Sequence, residues 1–150
     1  MKRVLNWESK FLRFLDSRMR TPMQWGKTDC FLLAVDCIQV LTGVDCNELK
    51  TDKKFRGKYW TSRGGYRVLK NMSGGGVSEA FSMIVKELNL PVLKNNNFAR
   101  RGDIALYNIE TEIGGSRDVL GVVLGPVVLI QGKDGLIDFP ISGAKTVWAI

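Results

Sequence analysis

Residues 5 to 19 place Trp7, Phe11, Leu12, Phe14, Leu15 and Met19 at spacings near i, i+4, i+7 and i+8. That is the apolar stripe of a helix resting on a core, with Lys10, Arg13, Asp16 and Arg18 mostly on the other side. Arg20 to Lys27 contains Pro22 and Gly26 and reads as a loop. Thr28 or Asp29 then stands where an N-cap is needed. From Phe31 to Leu41 only Asp36 and Gln39 are polar, and a helix apolar nearly all round belongs in the middle of a domain. Gly43 is its expected C-cap.

Residues 44 to 62 are polar, basic and aromatic, and read as loop with short helical turns. Two further helices are expected in "GGYRVLKNM" and "VSEAFSMIVKELN". They are separated by Gly74, Gly75 and Gly76, with Ser78 opening the second and Pro91 beyond it. After Arg101 the pattern changes. "DIALYNI" alternates, "VLGVVLG" and "VVLIQG" are β-branched runs, "KDG" is a hairpin signal, and "LIDFPI" and "TVWAI" follow. Helices segregated before several short, tightly linked strands predict an α+β domain with an antiparallel, curved sheet. No repeat, linker or low-complexity tract divides residues 1–150, which read as a single domain.

Composition narrows this picture without changing it. Hydrophobic residues make up 45% and charged residues 25% of the 150, as in a folded protein able to bury a core. No apolar stretch reaches the ~20 residues that a bilayer span requires. The start, "MKRVLNWESKFLRFLD", lacks the uninterrupted apolar segment of a secretory signal. Twenty-two Lys and Arg against 15 Asp and Glu give +7, compatible with a polyanionic partner or simply with a soluble basic surface. The charge is densest in "LKTDKKFRGKYW" and at Arg100 and Arg101. Neither place has a nucleic-acid-binding framework, so nucleic acid is not the expected partner. Three cysteines (Cys30, Cys37 and Cys46) form no complete disulfide set. Cys30 and Cys37 would lie roughly 10 Å apart along one helix, too far to bridge. With no CxxC pair and no histidine, nothing calls for zinc or for another cofactor.

Three places carry possible chemistry. Cys30 opens the buried helix, where the helix dipole and free N–H groups favour a thiolate, and Lys27 could add to the effect. The competing reading is a small buried apolar residue, the role expected of Cys37. In "RRGDIALYN" a Gly-Asp turn leads into a strand, with Asp103 fixing the turn through its side chain. In "DVLGVVLGPVVLIQG" two strands meet at Gly125 and Pro126. Gln131 closes the second, as a solvent-facing terminus or as a site residue.

Together these segments resemble the NlpC-type cell-wall cysteine peptidases, a compact branch of the papain-like fold. "WGKTDC" resembles that family's Asp-Cys opening of a central helix, with Cys30 at the nucleophile position. "RRGDIALY" is similar to its Gly-Asp strand entry, "VLGVVLG" to its histidine strand, and "VVLIQG" to the next strand, with Gln131 at the third polar position. "WGKTDC", "TGVD", "RGDIALY" and "GLIDFP…VWAI" are more similar still to a small uncharacterised subgroup encoded beside tail genes of bacteriophages and gene transfer agents. The likeness implies residence in a virion tail after synthesis in a bacterial cytoplasm, tail-tip proteins as partners, and peptidoglycan as a further possible partner.

In that register the histidine position falls on Val119. Valine neither takes a proton from a thiol nor gives one to a leaving amine. Asp118 points to the opposite face of the strand. General acid–base help is worth roughly 10² to 10⁴ in rate, so Cys30 without it should turn over poorly or not at all. The resemblance therefore implies a tail-tip or tail-assembly component built on a degenerate peptidase domain, Cys30 being vestigial. Two alternatives stay open. One is an active amidase or peptidase using Cys30 with a non-standard or trans-supplied base. The other is a basic polyanion-binding module.

Overall fold

The computed structural model describes residues 1–45, 49–50, 55–111 and 113–150. Four helices precede a five-stranded antiparallel sheet: α1 (Trp7–Arg18), α2 (Cys30–Thr42), α3 (Ser62–Ser73), α4 (Val77–Leu88), then β1 (Ile104–Glu110), β2 (Ser116–Leu124), β3 (Val127–Gln131), β4 (Leu136–Pro140) and β5 (Thr146–Trp148). The strand order is β4-β3-β2-β1-β5. The expected α+β division is thus present, each strand falling within a residue or so of its apolar run except β2, which starts earlier at Ser116. Cys46 and much of the expected 44–62 loop (46–48 and 51–54) lie outside the described residues; what is described there is turn and irregular chain.

Helix α2 is the axis of the molecule. Phe31, Leu32, Leu33, Ala34, Val35, Cys37, Ile38 and Leu41 are all buried, so its apolar circumference is matched by neighbours on every side. Asp36, one of its two polar residues, accepts hydrogen bonds from Arg18 of α1 at 3.2 Å and from Arg56 at 2.9 Å. This corrects the placement of Arg18 with the polar side of α1. Residues 7, 11, 15 and 18 share one face, and Arg18 lies at its inner end with its guanidinium carbon 5.7 Å from the centre of the Phe14 ring. Leu12 falls one position off that stripe and is 51% exposed. Helix α4 begins one residue before Ser78, at Val77. Its free N–H at Gly76 is satisfied by the Glu79 side chain at 2.8 Å rather than by serine.

Both faces of the sheet are covered, and this explains why β2 and β3 read as continuous apolar runs. Ile104, Leu106, Leu120, Val122, Leu129 and Trp148 face the helices. On that side Phe55, Phe31, Phe81 and Trp148 meet edge-on in that order, ring centres 4.5 to 6.0 Å apart. Ala105, Tyr107, Val119, Val123, Val128, Ile130 and Val147 form a second cluster behind it. Gly121 permits the β2–β3 packing. A Cβ there would sit 2.5 Å from Val128 Cγ1 and 2.8 Å from the Leu129 carbonyl oxygen.

Gly121→Val should therefore destabilise the protein by about 1–3 kcal/mol or more through overpacking. Gly115→Ala, whose new methyl meets only ordinary contact with Thr111 at 3.5 Å, should stay within about 0.5 kcal/mol. Urea titration of the two variants checks the contrast, and equal losses would refute this account of Gly121.

Candidate functional site

The start of α2 is organised by one carboxylate. Asp29 is 2% exposed and is the N-cap, accepting from Leu32 N–H at 3.0 Å through Oδ1. Its Oδ2 accepts from Gly26 N–H at 2.8 Å and from the Tyr59 hydroxyl at 2.6 Å. Gly26 has φ 80°, and a Cβ there would collide with the Tyr59 carbonyl, so the turn needs glycine on both counts. Thr28, the other candidate cap, instead closes the loop. Its hydroxyl accepts from Gln24 N–H at 2.7 Å and donates to the Pro22 carbonyl at 2.8 Å.

Cys30 follows as the first residue of α2. Its backbone position is the one expected for a nucleophile, yet its thiol is not activated. Burial pushes the pKa up to about 11. The Leu120 N–H directed at the sulfur and the Arg117 guanidinium favour the thiolate, but desolvation outweighs them, and the Asp29 carboxylate opposes ionisation as well. Of the two readings of Cys30, this favours the small buried residue over the helix-activated thiolate. Asp29 occupies the Leu32 N–H and adds a negative charge beside the sulfur. Lys27 is exposed and is not among the charges acting on the thiol; Arg117, far away in sequence, is. Cys37 is wholly buried, and desolvation raises its thiol pKa further still.

Cys30, Val119 and Gln131 line the same small cavity, together with Trp25, Tyr59 and Arg117. Its volume is about 40 Å³ and its walls are mainly apolar, with room for water. Val119 is 4% exposed and belongs to the cluster against which Cys30 packs. Asp118, expected on the opposite face, also lines this cavity, but its carboxylate is engaged by Asn108 Nδ2 at 3.0 Å with Lys145 Nζ at 3.7 Å. Gln131 is 6% exposed rather than solvent-facing. Its Nε2 donates to the carbonyls of Thr21 and Gly132, both at 2.9 Å, while Oε1 is buried without a hydrogen-bond partner. The amide thus ties the α1–α2 loop to β3. Leu136 N–H to the Met19 carbonyl (3.0 Å) and Met23 N–H to the Lys133 carbonyl (2.9 Å) strengthen the same strap.

Tyr59 escaped sequence reading because it lies in an irregular aromatic stretch, thirty residues from the carboxylate it serves. Desolvation, with Asp29 beside it, raises its pKa, so its hydroxyl keeps its proton and serves as a donor only. The second turn read from the sequence, at Gly102 and Asp103, forms as expected. Asp103 Oδ2 accepts from Arg100 N–H at 2.7 Å, and its Oδ1 takes Arg3 Nη2 at 3.2 Å and Ile150 N–H at 3.1 Å.

Two outcomes are expected. Asp29→Ala removes the cap and strands the buried Tyr59 hydroxyl and Gly26 N–H, costing about 2–4 kcal/mol, and thermal melts should show it. Alkylation by iodoacetamide, followed residue by residue by mass spectrometry, should rise at Cys30 only well above pH 9. At pH 7 a pKa near 11 leaves roughly one thiol in 10⁴ ionised. A reactivity midpoint at or below neutral pH would contradict the burial argument.

No described helix is long and apolar enough to cross a membrane. Neither a curated protein nor a solved structure matches the chain. One family model does, a domain of unknown function (DUF6950), aligned over residues 2–150. The chain, with its capped but unactivated cysteine, belongs to that family.

Proposed function

We propose that the protein is a catalytically inactive, papain-like component of a bacteriophage tail tip or of its assembly, descended from an NlpC-type peptidase. The observation that carries the inactive half of this reading is the pairing of a neutral Cys30 thiol with Val119 in one small cavity. Thiol catalysis needs a thiolate, an acid for the leaving amine and an activated water. Here the sulfur keeps its proton, Val119 has none to exchange, the Tyr59 hydroxyl is committed to Asp29, and the Asp118 carboxylate is engaged by Asn108 and Lys145. The papain-like half rests on the order of parts. An Asp-Cys opening of a buried helix precedes an antiparallel sheet, and positions 119 and 131 line the cavity beside Cys30. The tail half rests on the resemblance of "WGKTDC", "RGDIALY" and "GLIDFP" to the tail-gene-associated subgroup.

Purified protein should leave muropeptides intact between about pH 5 and 9, and Cys30→Ala should behave as the parent does. Proteomics of gradient-purified particles should find the chain in the tail, with infectivity unchanged by Cys30→Ala. Muropeptide cleavage abolished by that substitution would replace this reading with the active amidase. A protein found neither in particles nor in tail-assembly intermediates would remove the tail assignment.

A further inference from the structure

Between Phe55 and Ser78 the chain carries five cations, Arg56, Lys58, Arg63, Arg67 and Lys70, and no carboxylate. Arg56 is spent on Asp36. Lys58, Arg63 and Arg67 are exposed and make no ion pair among the described residues. They line one open groove of about 290 Å³ with Trp60, whose ring is 82% exposed.

Folding does not account for this arrangement. Arg63 lies in the first turn of α3, where the helix dipole disfavours a cation, and no acidic residue occupies that turn. Arg63 and Arg67 stand at i and i+4, a spacing at which like charges repel. Trp60 leaves a large apolar ring in water, whereas Trp148 is buried and Trp7 and Trp25 are partly so. Each choice works against the isolated chain, and all three fall on one groove.

We infer that the groove formed by Lys58, Trp60, Arg63 and Arg67 docks an acidic polypeptide segment of a partner protein. The partner supplies carboxylates to the two guanidinium groups and an apolar side chain to the indole. Arginine one turn apart from arginine suits bidentate carboxylate pairing, and Trp with Arg is the composition of interface hot spots. A nucleic-acid strand is the poorer occupant, because such strands are held by successive aromatic platforms along a basic track, and this groove offers one fully exposed ring. The groove adjoins the Cys30 cavity at Tyr59, but Lys58, Trp60, Arg63 and Arg67 do not line that cavity, and the inference holds whether or not the protein belongs to a tail.

The test is tryptophan fluorescence of the full chain titrated with an octapeptide of six glutamates around two leucines, and in parallel with dodecathymidylate. The peptide should shift the Trp60 emission and bind more weakly as salt rises from about 50 to 300 mM. Arg63→Glu with Arg67→Glu should weaken binding by about 30-fold; Trp60→Ala, which removes the reporter and is therefore followed by isothermal titration calorimetry, should weaken it by about tenfold, as losses at hot spots do. Arg100→Glu with Arg101→Glu makes the same change in net charge elsewhere and should weaken it less than about threefold. Absent peptide binding, tighter binding of the oligonucleotide, or equal losses in the two double variants would each overturn the inference.

Discussion

The structure turns on the buried carboxylate of Asp29. Three donors from three separate segments converge on it: the first turn of α2, the loop that precedes it, and Tyr59 from the stretch before α3. A carboxylate taken out of water is tolerated only when its lone pairs are satisfied, so these segments must arrive together. The central helix thereby starts at one defined residue, and Cys30 is held in one place by a neighbour that also disfavours its ionisation.

The same economy governs the cavity beside it. In an activated thiol site, polar groups are left partly unsatisfied until substrate arrives, and the cost is borne for function. Here the polar groups are largely spent on the fold. Asp29 is saturated, Tyr59 donates to it, and the Gln131 amide nitrogen holds two carbonyls. Only Gln131 Oε1 remains without a partner. Position 119, between these groups, is filled by a valine that completes the packing of the cluster behind the sheet.

Much of this was legible in the sequence, for local reasons. Helix α2 announced itself by an apolar run bounded by Asp29 and Gly43, and the strands by β-branched runs cut at Gly125 and Gly135. The Asp103 turn was legible because its main partner, Arg100, is three residues away. What stayed hidden was set at long range. The inward turn of Arg18 needed Asp36 as its reason, Tyr59 needed Asp29, and the burial of Gln131 needed the Thr21 carbonyl. The choice between an activated and an inert Cys30 thiol was open for the same cause. Helix-end electrostatics can be read from order along the chain, whereas desolvation depends on what β2 brings to the sulfur.

Asp103 has a wider reach than its turn. Oδ1 of this one side chain takes both Arg3, near the first residue, and the backbone of Ile150, while Arg3 Nε also donates to the Ile150 carbonyl at 3.1 Å. Strand β5 is only three residues long and lies at a sheet edge, where little else would hold it. Joined through one buried side chain, the segments around Arg3 and Ile150 separate only by exposing the carboxylate that holds both. Two residues 147 positions apart in sequence are thereby fastened at a single point, so local opening of either segment is coupled to the other.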